Sequence, residues 1–205
     1  YDHEKPEGVR RILMLGDSVT FGWGVAVEHT ASKRLEQHLN AAAPGRFEVI
    51  NTGVGNYNTA MEVTWFLNEG LRYDPDLVVL NYFINDAEQR PVRSTNPLAA
   101  WSMAYAFLAG RVDALTRIVA RREDWAAYYQ GLYADDQAGW RTARESIGAL
   151  AAACAARDIP LLLVNHPELR ELGEYRFEDV DAMLRRVAAD NRIPLLELRD
   201  TLRGH

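Results

Sequence analysis

The feature that most constrains the fold is a set of five short apolar runs that alternate with segments of helical spacing. The runs are Arg11–Leu15, Phe47–Asn51, Leu77–Phe83, Pro160–Asn165 and Pro194–Leu198. Several are too short and too evenly apolar for half-exposed strands, so they predict parallel strands that are covered on both faces. Strands that alternate with helices predict an α/β protein with right-handed crossovers. We expect a three-layer αβα sandwich around a flavodoxin-like parallel five-stranded sheet.

The segments between the runs predict helices. Thr59 and Glu62 have the spacing of a capping box, so a helix is predicted to begin at Thr59. Two later segments repeat apolar residues every three or four positions, which indicates one buried face on each helix. These faces consist of Trp140, Ala143, Ile147, Leu150, Ala151 and Cys154 in the first, and of Phe177, Val180, Met183, Leu184 and Val187 in the second.

The connection between the third and fourth runs is long, at about 75 residues, whereas most connections take only ~4–6. Asn96-Pro97 has the composition of a helix start, with asparagine at the cap and proline in the first turn. We therefore predict a helical insertion at about 95–135 within a single domain that covers residues 1–205. Two interpretations stay open: a hairpin packed on the sheet, or a lid over an active site.

Composition excludes several classes of protein. Apolar residues make up 48% of the chain and the net charge is -6, which is unlike the basic surface of a nucleic-acid binder. No apolar run approaches the ~18 residues of a membrane span. The single cysteine, Cys154, can form neither an intrachain disulfide nor a cysteine metal cluster. No signal peptide is visible, but the chain starts without methionine, so a leader before residue 1 and a cytoplasmic or periplasmic location in a bacterium all stay open.

The first run ends in Gly16-Asp17-Ser18. An apolar strand that stops at a glycine and presents a serine at its carboxyl end is how α/β enzymes display a nucleophile. The turn lifts the hydroxyl out of the sheet. Alone this tripeptide is a weak signal, because any turn from strand to helix can carry it.

Polar residues at the ends of the next strands strengthen the signal. The second run continues into Asn51–Asn58, the third into Asn85-Asp86 and the fourth into Asn165-His166. Ligands of doubly wound sheets bind beyond the carboxyl ends of the strands, so these residues should surround one spot. A hydroxyl near several N–H donors is what acyl transfer needs.

These blocks resemble the SGNH hydrolase superfamily, also called the GDSL-type esterases and lipases. Gly16-Asp17-Ser18 matches the first block and implies that Ser18 is the nucleophile. Residues 51–59 resemble the second block, in which the family uses a glycine N–H in the oxyanion hole. Counting along the block places that position on Asn56, with Gly55 just before it, so either residue is implied.

The third block of the family is usually Gly-x-Asn-Asp, and residues 82–86 resemble it. Phe83 stands in place of the glycine. Asn85 is present, and the resemblance implies that its side-chain amide belongs to the oxyanion hole. The resemblance covers nearly the whole chain in block order.

The general base of the family is a histidine in an Asp-x-x-His block after the last strand. Here Asp200 and His205 follow the last run without that spacing. Three explanations are open: the sequence stops before the block, His166 is the base, or the protein has no base. We expect the first.

The resemblance implies a serine esterase that hydrolyses an O-acyl ester, above all an O-acetyl ester on a carbohydrate, through an acyl-Ser18 intermediate. The catalytic set would be Ser18, Gly55, Asn56 and Asn85. Candidates for substrate contact are Asp17, Asn58, Asp86 and His166, although Asp17 is expected mainly to stabilise the turn. No metal or cofactor is expected, and the partner would be a small-molecule or glycan ester.

Other functions stay open. The superfamily also contains lipases, thioesterases and O-acyltransferases, and a relative without a base would be a non-catalytic polysaccharide-binding protein. A nucleotide-binding module is disfavoured. Gly22 and Gly24 follow the first strand, but Val27 stands where a third glycine is needed, and no Gly-Lys-Ser/Thr is present.

Overall fold

The computed structural model describes residues 1–89, 125–170 and 172–203. They form one five-stranded sheet in which every pairing is parallel. The strands are β1 (Arg10–Leu15), β2 (Phe47–Asn51), β3 (Leu77–Tyr82), β4 (Leu161–Asn165) and β5 (Leu195–Glu197). Their order is β2-β1-β3-β4-β5, which confirms the predicted flavodoxin-like sheet.

Helices cover both faces of this sheet. Those of the described residues are α1 (Ser18–Phe21), α2 (Ala31–Ala42), α3 (Thr59–Asn68), α4 (Trp125–Gly131), α5 (Ala138–Ala155), α6 (Glu178–Asp190) and α7 (Arg199–Arg203). Short 3₁₀ turns lie at Val27–His29 and Gly70–Tyr73. Most of the predicted insertion, including Asn96-Pro97, lies outside the described residues, and α4 is its described end.

The core lies on both faces of the sheet, as the evenly apolar strands predict. In β1, Leu13 and Leu15 point to the larger core, which contains the apolar faces of α3, α5 and α6. The alternate residues Ile12 and Met14 belong to a smaller core under α2. The carboxyl ends of the strands therefore emerge together at one edge between the helical layers.

The predicted capping box at the start of α3 is wrong. Asn58 is the cap, and its side-chain oxygen accepts a hydrogen bond from the Met61 N–H at 3.1 Å. Thr59 is the first helical residue, and Glu62 is buried with both carboxyl oxygens lacking a hydrogen-bond partner. Asparagine and threonine are both good caps, and only the backbone conformation decides which of two neighbours takes the position.

Within the described ranges, no helix combines the length and the apolar character that crossing a membrane would require.

Candidate active site

Ser18 is the first residue of α1 and follows β1 directly. Its side chain is half-buried at the carboxyl end of the strand. Asp17 caps the helix, because Asp17 Oδ1 accepts a hydrogen bond from the Val19 N–H at 2.8 Å. The turn-stabilising role that the sequence predicts for Asp17 is therefore confirmed. The cap fixes the direction in which the turn presents Ser18.

Two glycines allow the strand ends to approach each other closely. Gly16 has a φ of 155°, and a Cβ on it would lie 2.0 Å from Thr20 Oγ1. A Cβ on Gly53 would lie 2.3 Å from the Phe21 N and 2.9 Å from the Asp17 O. The loop after β2 consequently packs on the backbone of α1, with no room for a side chain between them.

The loop after β2 is held by its own polar groups. Asn51 Oδ1 accepts a hydrogen bond from the Gly53 N–H at 2.9 Å, and Asn51 Nδ2 donates to the Thr20 carbonyl at 2.7 Å. Further along, Asn56 is exposed and has a φ of 66°. Asparagine adopts this left-handed conformation more readily than most residues, which explains how it can follow Gly55 in this turn.

The loop after β3 brings Asn85 to the nucleophile turn. Asn85 Nδ2 donates a hydrogen bond to Asp17 Oδ2 at 3.1 Å. The Ser18 hydroxyl lies 3.4 Å from this same carboxylate oxygen, which is long for a hydrogen bond between oxygens. Two of the predicted site residues, Ser18 and Asn85, therefore converge on the carboxylate of a third, Asp17.

His166 lies at the carboxyl end of β4, next to the site. Its ring Nε2 is 3.0 Å from Asn81 Oδ1, while Asn81 Nδ2 donates to the Leu15 carbonyl at 2.9 Å. Because the amide of Asn81 is already used as a donor, Nε2 carries the proton in this contact. Burial lowers the pKa of His166, and the charge of Asp17 opposes this effect. Among the described residues no hydrogen bond joins the His166 ring to Ser18.

Asn58 and Asp86, two predicted substrate contacts, lie behind the site and are buried. Asn58 Nδ2 donates to the Glu88 carbonyl at 2.7 Å, in addition to its capping contact. Asp86 Oδ2 accepts a hydrogen bond from the Phe83 N–H at 2.7 Å. Burial and the charge of Asp17 raise the pKa of Asp86. Both side chains support the loop that carries Asn85.

Two residues of this region, Asn81 and Glu62, have no predicted role in the site. Asn81 is a buried polar residue inside the apolar run of β3, and a polar residue within such a strand is itself a sequence signal for a functional position. The spacing of Glu62 predicts a capping residue, but Glu62 is buried, with 2% of its surface exposed. The described residues contain no group of histidine, cysteine and carboxylate side chains that could hold a metal ion.

Asp200 and His205 are the two residues considered for the Asp-x-x-His block, and Asp200 lies near the C-terminal end of the described residues. Asp200 lies in the first turn of α7 and is exposed. His205 lies outside the described residues.

Comparison with known proteins decides the family. The model of the GDSL-like lipase/acylhydrolase family matches residues 14–205. The chain belongs to this family. It is thus a member of the SGNH/GDSL superfamily and an ester-hydrolysing serine hydrolase. No curated protein sequence matches it significantly.

Several solved structures share the fold of this GDSL-family chain. An SGNH-hydrolase family esterase, AlinE4, is 19% identical, with a TM-score of 0.53 over 93% of this chain and 77% of that one. A lipase/acylhydrolase from Enterococcus faecalis is 17% identical, with a TM-score of 0.55 over 96% and 80%. An acetyl xylan esterase is 18% identical, with a TM-score of 0.56 over 93% and 78%.

Proposed function

We propose that this enzyme hydrolyses an O-acetyl ester on a carbohydrate through a covalent acetyl-Ser18 intermediate. The observation that carries the proposal is the convergence of the Ser18 hydroxyl and the Asn85 amide on Asp17, at the carboxyl ends of β1 and β3. A hydroxyl beside a positioned amide donor is the arrangement that acyl transfer uses.

In the proposed mechanism, Ser18 Oγ attacks the ester carbonyl carbon while a general base removes its proton. The oxyanion is stabilised by the Ser18 N–H, by the N–H of Gly55 or Asn56, and by Asn85 Nδ2. An amide nitrogen has two hydrogens, so Asn85 can donate to Asp17 and to the oxyanion at once. The intermediate expels the alcohol, which takes up the proton. Water then attacks acetyl-Ser18 and releases acetate.

The general base of the proposed mechanism is a histidine, the residue type that the family carries in its Asp-x-x-His block. His166 is the less suitable candidate, because its Nε2 is engaged with Asn81 rather than with Ser18. A base has to reach the hydroxyl proton within hydrogen-bond distance, directly or through one water molecule. His166 is instead proposed to border the substrate.

A carbohydrate acceptor is supported by an exposed aromatic pair beside Ser18. Trp23 is 77% exposed and Phe21 is 50% exposed, and their ring centroids are 6.2 Å apart. The backbone N–H of Trp23 donates a hydrogen bond to the Ser18 carbonyl at 3.1 Å, which keeps Trp23 near the nucleophile. Exposed aromatic faces suit the apolar face of a sugar ring. The name of the acetyl xylan esterase among the similar structures supports the same substrate class.

A second candidate is a lipase or thioesterase that accepts a longer acyl chain. Exposed valines favour it: Val25 and Val27 line one cavity together with Phe21, and Val54 is a further exposed apolar side chain. In an O-acyltransferase of the superfamily, a second alcohol would replace water in the last step. A non-catalytic polysaccharide-binding relative would bind the glycan and leave Ser18 unreactive.

The test uses the full-length protein. Hydrolysis of p-nitrophenyl acetate and intact mass after a fluorophosphonate probe are measured for the wild type and for Ser18→Ala. The proposal expects turnover and labelling that both vanish in the variant. Acetate release from acetylated xylan is then compared with hydrolysis of a p-nitrophenyl octanoate. An unlabelled wild type would favour the binding protein, and a preference for the octanoate would favour the lipase.

A further inference from the structure

The buried side-chain amide of Asn81 joins three strands at the carboxyl edge of the sheet. Asn81 lies on β3 and is 5% exposed. Its Nδ2 donates a hydrogen bond to the Leu15 carbonyl of β1 at 2.9 Å, and its Oδ1 lies 3.0 Å from Nε2 of His166, which follows β4. Both ends of the amide are therefore engaged, and the Leu15 carbonyl, which can only accept, fixes which end is the donor.

This amide lies directly against the turn that presents Ser18. A Cβ on Gly16, at the start of that turn, would lie 3.2 Å from the Asn81 Cβ. The backbone of His166 is held as well, because its N–H donates a hydrogen bond to the Tyr82 carbonyl at 2.9 Å. The imidazole ring is thus fixed through its backbone and through Nε2, beside the nucleophile turn.

The other ring nitrogen, Nδ1, is left as an open hydrogen-bond acceptor. Because Asn81 Oδ1 accepts from Nε2, the proton of the neutral ring is on Nε2 and Nδ1 carries a lone pair. Burial lowers the pKa of His166 more than the charge of Asp17 raises it, so the ring is mainly neutral at neutral pH. Nδ1 has no hydrogen-bond partner among the described residues, and it is not one of their buried atoms that lack a partner. Solvent, or a ligand in its place, can therefore reach Nδ1.

The chemistry of the proposed substrate decides which group Nδ1 can contact. An acetyl group has no hydrogen-bond donor, so a donor must come from the alcohol part of the ester. The free hydroxyl groups of a carbohydrate supply such donors beside the acetylated position, whereas a simple alkyl ester has none. A site that accepts a hydrogen bond from a substrate hydroxyl disfavours analogues without it, because the acceptor then stays unpaired. Nδ1 is therefore suited to select the alcohol part and not the acyl group.

We infer that His166 Nδ1 accepts a hydrogen bond from a free hydroxyl group of the alcohol part of the substrate, and that Asn81 positions His166 for this contact by holding the proton on Nε2. His166 is then a specificity-determining residue. Asn81 is a positioning residue, since it acts through His166. The hydroxyl contact rests on the proposed function, whereas the tautomer of His166 does not.

A matched pair of substrates tests the hydroxyl contact. We measure kcat/KM for an acetylated xyloside and for its deoxy analogue, in which hydrogen replaces the hydroxyl beside the ester. In His166→Gln, glutamine can keep the donor to Asn81 but has no acceptor at the position of Nδ1. We expect the ratio of the two kcat/KM values to fall by about 3- to 10-fold, through a higher KM for the xyloside. His38→Gln is the matched control, because His38 is exposed on α2, and it should keep the wild-type ratio.

Two outcomes of this comparison would overturn the hydroxyl contact. An equal loss on both substrates in His166→Gln would mean that His166 acts on the reacting atoms or only on the structure. A wild type that does not prefer the xyloside over its deoxy analogue would mean that the site recognises no hydroxyl there.

The tautomer of His166 is measured without turnover. Long-range proton–nitrogen NMR spectra at neutral pH distinguish a proton on Nε2 from one on Nδ1, and the His166 signals are those that disappear in His166→Gln. We expect the proton on Nε2 in the wild type, and both tautomers together with a lower substrate ratio in Asn81→Ala. An unchanged tautomer in Asn81→Ala would overturn the role of Asn81.

The wild-type spectrum alone keeps the inference testable if Asn81→Ala does not fold, since a proton on Nδ1 in the wild type would overturn it. If the wild type hydrolyses no ester but has the proton on Nε2, the proposed function fails while the positioning of His166 by Asn81 stands.

Discussion

The side-chain amide of Asn85 donates a hydrogen bond to Asp17 Oδ2 across 3.1 Å, although the two residues are far apart in the chain. The other oxygen of Asp17 caps α1 through the Val19 N–H. One carboxylate therefore fixes both the turn that presents Ser18 and the amide proposed for the oxyanion hole.

Asp17→Asn separates the two functions of that carboxylate. The asparagine oxygen can still cap α1, but its NH₂ would face the NH₂ of Asn85, so the contact should be lost. We expect kcat/KM for p-nitrophenyl acetate to fall by about 10- to 100-fold with almost unchanged thermal stability. Asp17→Ala should in addition lose about 1 kcal/mol of stability with the cap. Full activity in Asp17→Asn would show that Asp17 does not orient Asn85.

Asn85→Ala removes the proposed oxyanion donor. We expect kcat for p-nitrophenyl acetate to fall by about 10²–10³-fold, because a donor that acts mainly on the transition state is lost. The control is Asn68→Ala, since the Asn68 side chain donates to the Thr64 carbonyl at 2.7 Å on the exposed side of α3, away from Ser18. If the loss appeared in KM rather than kcat, Asn85 would bind the substrate and not the oxyanion.

Gly53→Ala tests how closely the β2 loop packs on α1. The new Cβ would lie 2.3 Å from the Phe21 N, a backbone atom that cannot move alone. We expect a loss of about 1–3 kcal/mol in the free energy of unfolding, together with reduced activity, because the loop must shift away from Ser18. Urea unfolding and ester hydrolysis measure both effects. Gly131→Ala is the control: its Cβ would meet nothing within 4 Å, so stability should stay within about 1 kcal/mol.

His166 should make stability depend on pH. Burial lowers its pKa in the folded state, so the unfolded chain binds the proton more readily. The stabilisation is complete above the ordinary pKa of about 6.5 and is lost as the pH falls through the lowered pKa.

His166→Gln removes this titration and keeps a donor for Asn81. We expect the free energy of unfolding to fall less between about pH 7 and about pH 5.5 than in the wild type. Urea unfolding at both values measures the difference. His29→Gln is the control, because His29 is exposed, and its stability should depend on pH as that of the wild type does. The prediction is contradicted if the free energy of unfolding depends on pH in the same way in all three proteins.

Trp23→Ala examines the proposed carbohydrate subsite. Loss of the exposed ring should raise KM for an acetylated xylooligosaccharide by about 3- to 10-fold at unchanged kcat. Hydrolysis of ethyl acetate, which has no ring to stack, should not change. Leu67→Ala provides the control, because Leu67 is exposed on α3. If hydrolysis of an octanoate ester fell most, the exposed patch would bind an acyl chain instead.

The strands and the family blocks could be predicted because their signals are local. A strand covered on both faces must be apolar along its length, so β2 is predicted to the residue and the other strands to within one residue at either end. The predicted cap of α3 is wrong because the local sequence offers two candidates and does not distinguish them. Asn58 and Thr59 are adjacent residues with similar capping ability, and only the backbone conformation distinguishes them.

By itself, the sequence determined the parallel α/β fold, the place of Ser18 after β1 and the membership in the GDSL family. Only the tertiary structure decided what the buried polar residues do. Asp17 contacts Asn85 because the crossovers bring the carboxyl ends of β1 and β3 together, and Glu62 is buried close enough to Asp86 and Asp17 for burial and their charges to raise its pKa. Contacts between residues far apart in the chain leave no periodic pattern in it. A carboxyl group on a helix is interpreted as a solvated or capping residue until the packing around it is known.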